Sequence, residues 1–309
     1  MEWLDRLSAK KGSVGIEVLR DGIAIAAKGC FDKSGNVDLV HVIRQESDDF
    51  DLQKELHHFV HKHKITHRLC HLILPAKDYQ LLLVEAPDVP DESLREAVKW
   101  KVKDLISMPV DKAVVDVFRL PADANKASKS MVYAVVSHSD RIKSLISLVN
   151  ESGLKLSSID INEMALRNIS MVTSSDLQGR GVGIVRLGEG EGVVSLYKEG
   201  NLYLSRQFRI DYNGGLLDDL PVDALALEVQ RSLDYYERQM GMSPPAIMYI
   251  CGESVSEDKI TQDLVRSINV SFAYLPIQGL LEFRHETDEG VIQLCMGALG
   301  ALHREEVQL

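Results

Sequence analysis

The chain has 309 residues, 45% of them hydrophobic, so it can bury substantial cores, and its length fits about two domains. Its 46 acidic against 35 basic side chains leave a formal net charge of -11, a field that repels phosphate backbones; no nucleic-acid partner is expected. Cys30, Cys70, Cys251 and Cys295 stand far apart without CxxC spacing, which fits reduced thiols in the cytoplasm better than disulfides or a zinc site. Residues 1–7 lack the apolar core of a signal peptide, and the longest uncharged apolar stretch, 291–302, is too short to span a bilayer. Membrane association is therefore expected to be peripheral.

Residues 14–43 alternate apolar and polar side chains between turn signals at Asp21-Gly22 and Ser34-Gly35-Asn36, predicting a three-stranded meander. Helical spacing of Leu52, Leu56, Phe59 and Val60 predicts a helix over 51–63, and 69–74 reads as a buried strand ended by Pro75. A strand over 79–85 precedes the punctuation Pro87-Asp88-Val89-Pro90-Asp91, which introduces the acidic first turn of a helix. Leu94, Ala97, Val98, Val102, Leu105 and Ile106 form its apolar stripe, closed off by Pro109. Strands over 114–120 and 131–137, joined by a polar loop at 123–130, and a helix over 140–152 complete an α+β insertion.

A short strand at 155–160 and a helix over 163–171 lead to a polar hinge at 173–180. There the chain begins again: Gly181-Val182-Gly183-Ile184 repeats the opening Ser13-Val14-Gly15-Ile16, and the turn Gly188-Glu189-Gly190-Glu191-Gly192 takes the place of Asp21-Gly22. Strands over 183–185, 193–198 and 202–210 are followed by a helix carrying Leu225, Val229, Leu233, Tyr236 and Met240, which stops at Gly241. A buried strand at 247–251, a helix over 258–268, a strand at 270–275 and an apolar helix over 290–303 give an alternating second lobe. The division is a first lobe of residues 1–172, with a subdomain inserted at about 77–152, and a second lobe of residues 173–309.

His57, His58, His61, His63, His67 and His71 cluster with Cys70, and His57 and His61 have the i,i+4 spacing of a metal chelate. Leu56, Phe59 and Val60 already define the buried face of that helix, so a solvated histidine surface is expected and no metal site. Glu228, Arg231, Asp234 and Arg238 read as a salt-bridged helix face. There is no Walker motif, no HExxH and no GxSxG, so no catalytic residue is nominated.

The stretch Pro87-Asp88-Val89-Pro90-Asp91-Glu92-Ser93-Leu94-Arg95-Glu96-Ala97-Val98-Lys99-Trp100, with residues 106–109 behind it, resembles a hallmark of the PilM-type actin-like proteins of type IV pilus assembly. Gly153-Leu154 leading to Ile159-Asp160-Ile161-Asn162-Glu163-Met164-Ala165-Leu166 resembles that family's connection between halves. Leu227-Glu228-Val229-Gln230-Arg231-Ser232-Leu233-Asp234-Tyr235-Tyr236-Glu237 resembles its second-lobe helix. The resemblance spans nearly the whole chain and is strongest to the family's mannose-sensitive haemagglutinin (MSHA) pilus branch. It is more distant to the cytoplasmic domain of the type II secretion L protein.

The resemblance implies an α/β, actin-like (ribonuclease H-like) duplicated fold with an inserted α+β subdomain. It implies a non-catalytic adaptor at the cytoplasmic face of the inner membrane, holding the cytoplasmic tail of a single-pass pilus protein beside the insertion and coupled to the cytoplasmic assembly ATPase. For that groove the expected residues are Trp100 as anchor, Leu105 and Ile106 as core support, and the strand edge Val114, Val115 and Val117. The alternative is an actin-like ATPase or ATP-gated switch, with ATP and magnesium as cofactors. The matching cleft positions are Glu17, Asp21 and Gly22 in the first lobe, Gly188 and Gly190 in the second, and Gly252, Glu253 and Ser254 at the adenosine end. Their chemistry argues against that alternative. Asp21-Gly22 carries no hydroxyl, Arg186 stands where an aspartate would hold hydrated metal, and Glu189 and Glu191 repel phosphate. No cofactor is expected.

Overall fold

A computed structural model describes residues 12–31, 35–45, 50–124, 130–173, 179–212, 220–260 and 262–304. Strands β1 (Ser13–Val18), β2 (Gly22–Lys28) and β3 (Val37–Arg44) form the expected meander; β4 (Leu69–Ile73) then runs parallel to β1, and a later strand, β8 (Lys155–Asp160), parallel to β4. The sheet order is β3-β2-β1-β4-β8. The second half repeats it. Strands β9 (Val182–Gly188), β10 (Glu191–Lys198), β11 (Asn201–Arg209), β12 (Ile247–Gly252) and β13 (Ser271–Tyr274) are ordered β11-β10-β9-β12-β13, with the same antiparallel and parallel pairings. Central strands buried on both faces explain why Ile16, Leu72, Ile184 and Ile250 sit in nearly unbroken apolar runs.

Between β4 and β8 lies a third, antiparallel sheet, β5-β7-β6, built from β5 (Tyr79–Glu85), β6 (Ala113–Arg119) and β7 (Met131–His138). Helix α2 (Asp91–Lys101) covers one face, packing Leu94 and Val98, with Val102 just beyond its end, against Ala113, Val115 and Val136. It follows α1 (Leu52–Lys62), whose first turn is capped by Asp51 accepting from the Lys54 amide at 3.2 Å.

Four features depart from the sequence reading. Helix α2 ends at Lys101 with Val102 as its C-cap, short of the stripe that runs on to Ile106, because the chain then tightens into turns (the Lys103 amide to the Trp100 carbonyl, the Leu105 amide to the Val102 carbonyl) and packs Ile106 outside the helix. Helix α3 (Ser139–Glu151), assigned to the insertion, puts Leu145 and Val149 into the core of the first sheet. The turn between β9 and β10 is only Glu189-Gly190, with Gly188, Glu191 and Gly192 already in strands. The final apolar run breaks at Cys295 into two short helices, Glu289–Leu294 and Met296–Leu302.

The second of those helices leaves its own lobe. Met296–Leu302 lies on β1, β2 and β4, whereas helix α4 (Asn162–Thr173), which ends the first half, lies on β9, β10 and β11. The two helices cross back to back, and Asn168 Nδ2 donates to the Gly300 carbonyl at 2.9 Å. The predicted division at 172/173 thus follows the sheets but not these helices.

Candidate functional site

The two opening hairpins face each other across a cleft of about 560 Å³. Glu17, at the end of β1, is buried, and its Oε1 meets Arg186 Nη1, from β9 of the other half, at 2.7 Å. Glu17 Oε2 accepts the Gly297 amide at 3.0 Å, so the carboxylate also holds the exchanged C-terminal helix. Arg186 donates in addition to Asn162 Oδ1 at the start of α4. Burial alone would lower the affinity of the Arg186 guanidinium for its proton, but the adjacent Glu17 charge and hydrogen bond override it and raise the pKa.

Beside this pair Glu163 is buried between three elements. Its carboxylate accepts from Tyr79 Oη at 2.5 Å and Ser205 Oγ at 3.1 Å, and its backbone carbonyl accepts from Tyr197 Oη at 2.8 Å. Burial raises the Glu163 pKa, opposed by the Tyr79 and Ser205 hydrogen bonds. At the rim Arg20 reaches Glu189 at 2.6 Å, and Arg44 bridges Asp21 at 2.5 Å and Glu253 at 2.8 Å. Every arginine of the cleft is therefore paired with a carboxylate of the opposite half. The described lining side chains include six carboxylates (Glu17, Asp21, Glu163, Glu189, Glu191, Glu253) against Arg20, Arg44, Lys77 and Arg186. A triphosphate entering here would meet excess negative charge and would have to displace ion pairs already made.

Of the positions nominated for this cleft, Glu17, Asp21, Gly188 and Glu253 line it, and Gly22, Gly190, Gly252 and Ser254 do not. Gly252 has a different duty: its φ is +125°, and a Cβ there would stand 2.0 Å from the Leu187 carbonyl oxygen. It lets β12 approach β9, and its amide is taken by Gln293 Oε1 at 2.9 Å. Arg20, Arg44, Asn162 and Glu163 escaped sequence reasoning as cleft residues. Their partners are up to 209 residues away, and the only local signal was the meeting of Asn162-Glu163 with a helix start.

At the insertion, β6 is an outer strand of its sheet and β8 an outer strand of the first sheet. Burial raises the pKa of Asp160 on β8, opposed by the charge of Arg304. Val114 is 43% exposed on the β6 face turned away from α2, while Val115, 6% exposed, and Val117 pack under that helix. Of the three valines only Val114 is exposed. Trp100 lies roughly 200° around α2 from the buried Val98, so it projects away from the sheet. At 63% exposure it anchors nothing within the chain, and Leu105, expected in the core, is 58% exposed; Ile106 does pack against the insertion's core.

The histidines follow the predicted pattern: His57, His58, His61 and His67 are exposed, the His57 and His61 rings lie 4.2 Å apart at a tilt of 34°, and His63 lies against Phe59. Among the described residues no group of three or more His, Cys, Asp or Glu side chains is placed to hold a metal ion. Nor is any described helix long and apolar enough to cross a membrane.

No protein-family profile and no curated sequence matches the chain. Solved structures do. A protein of the "PilM-PilN type IV pilus biogenesis complex" superposes with a TM-score of 0.70 over 95% of this chain and 97% of its own, at 13% identity. A Bacteroides thetaiotaomicron protein with an actin-like ATPase fold and unknown function gives 0.56 over 97% and 99%, at 11% identity. The cytoplasmic domain of EpsL, an inner-membrane component of the type II secretion system of Vibrio cholerae, gives 0.56 over 96% and 96%, at 12% identity. Duplicated sheets, exchanged helices and an interlobe cleft agree with these likenesses: the chain has the actin-like fold.

Proposed function

We propose that this protein is a non-catalytic scaffold of a type IV pilus assembly platform, working at the cytoplasmic face of the inner membrane. The observation that carries this reading is the cleft. Arg20, Arg44 and Arg186, the groups that could attract phosphate, are each engaged by carboxylates of the opposite half. The ion pairs join the lobes where a bound nucleotide and its metal would otherwise do so. The likeness to a pilus biogenesis complex and to a type II secretion component supports the cellular setting. The residue resemblance supports assigning it to the MSHA pilus branch, as a protein similar to the biogenesis protein MshI.

In this reading the partner is a single-pass inner-membrane pilus protein whose cytoplasmic tail lies in the groove between β6 and β8. An extended segment there gains backbone hydrogen bonds from an open strand edge and sets an apolar side chain on Val114, which needs no catalytic group. The cytoplasmic assembly ATPase is a second partner of the same platform. Titration calorimetry tests the proposal in both arms. ATP with magnesium should show no binding at micromolar or tighter affinity, a threshold of about 8 kcal/mol, while the partner's tail peptide should bind. Micromolar ATP affinity would replace the scaffold with a nucleotide switch.

A further inference from the structure

The two most exposed large apolar side chains among the described residues, Trp100 and Leu105, stand at one end of α2 and in the turn that follows. Lys99 and Lys101 flank Trp100, Lys103 and Asp104 precede Leu105, and no ion pair among the described residues engages any of the three lysines. Their neighbours Arg95 and Arg119 are by contrast paired, with Asp116 and Asp91. Glu96 precedes the run and Asp104 lies within it, but three cations against one carboxylate leave residues 99–105 net positive. Lys99 and Lys101 complement the C-terminal end of the helix dipole. That accounts for two cations and leaves an exposed indole and an exposed leucine among them without a reason.

Tryptophan with its amphipathic ring and lysine with its long apolar stem are the side chains that settle at a bilayer interface, the ring among the headgroups and the ammonium beside lipid phosphate. In a chain of net charge -11, a cluster of unpaired lysines is also the surface that an anionic leaflet can approach. We propose that this end of the insertion is a membrane-surface site. Trp100 and Leu105 enter the headgroup layer of an anionic bilayer, and Lys99, Lys101 and Lys103 contact lipid phosphates. The contact is direct, reversible and salt-sensitive, and it adds to the association through partners expected from the sequence. It does not depend on the tail groove, which opens on the other face of the inserted sheet.

The sequence has two tryptophans, so Trp3→Phe in the full chain leaves Trp100 as the only indole. Vesicles of phosphatidylcholine with about one-third phosphatidylglycerol should shift its emission to the blue and sediment the protein at low salt. Pure phosphatidylcholine vesicles, or high salt, should do neither. Reversing Lys99, Lys101 and Lys103 to Glu together should lower partitioning at least about tenfold. Trp100→Ala with Leu105→Ala should do the same while leaving the thermal midpoint in place, since both side chains are exposed. Unshifted emission on anionic vesicles overturns the proposal, as does vesicle binding that survives both sets of substitutions. A Trp100 shift produced by the tail peptide alone, without lipid, would reassign the patch to protein docking. The vesicle arm contains no peptide and the calorimetric arm no lipid, so the two readings fail separately.

Discussion

Arg186 is the residue on which the cleft turns. A buried guanidinium needs an anion, and Glu17 supplies it from the other half at 2.7 Å. Glu17→Gln should therefore cost about 3 kcal/mol of stability, the lower end for breaking a buried pair, because 16% of the Arg186 side chain still reaches water. Adding Arg186→Met to that variant should recover at least about 1 kcal/mol, since the unpaired charge goes with it. Urea denaturation measures both, and a single-variant loss below about 0.5 kcal/mol, the ordinary effect of a surface substitution, would mean the pair is not desolvated. His303 makes a pH argument at the same scale. Its Nε2 is buried without a hydrogen-bond partner among the described residues, and burial, followed by the charge of Lys28, pushes its pKa down from 6.5 to about 4. The unfolded chain then binds more protons than the folded one between those values, so the stability His303 contributes is complete above pH 6.5 and is lost as pH falls toward 4. His303→Asn should flatten the fall of the urea midpoint between pH 6.5 and 5; an unchanged slope would assign that fall to the other histidines with lowered pKa, His41, His63 and His71.

At the scale of elements, the groove depends on β6 being an open edge. Val114→Asp places a charge on the exposed face of that strand without touching the core packed by Val115, so the fold should hold while tail affinity drops at least about tenfold. Wild-type affinity in a peptide titration of this variant would move the tail elsewhere. The strand itself was plain in the sequence, although its apolar run did not separate the exposed Val114 from the buried Val115, and β5, β8 and α1 were equally plain. The end of α2 was not. Val102 and Ile106 keep helical spacing after the helix has stopped, so the stripe hid the turn that exposes Leu105. The direction of Trp100 was hidden for a related reason: the stripe shows which residues are apolar, while the register of the helix on its sheet decides which way the indole points.

The arrangement of the whole molecule was legible as a duplication, because two Val-Gly-Ile openings head two sheets of the same order. Its exchange of helices was not, since no periodicity tells a helix which sheet to cover. The exchange has a consequence for folding. Met296–Leu302 lies on the first sheet so closely that a Cβ on Gly15 of β1 would stand 2.0 Å from the Ala298 carbonyl oxygen, and Glu17 grips the Gly297 amide. Helix α4, covalently part of the first half, buries Leu166 and Ile169 with Ile184, Val194 and Leu204 of the second. The insertion adds a third tie, with Tyr133 Oη donating to the Tyr203 carbonyl at 3.2 Å and Tyr203 Oη donating to Asp123 at 2.9 Å. Cutting the chain after residue 172 therefore strips each sheet of a helix that the other fragment carries. Fragments 1–172 and 173–309 expressed apart should each lack a cooperative urea transition, because the apolar faces under the missing helices stay in water. Mixed during refolding, they should associate in a 1:1 complex that regains one transition. A cooperative transition of near-native midpoint for residues 1–172 alone would show that the exchanged helix is dispensable, and that the two lobes are independent domains joined at a hinge.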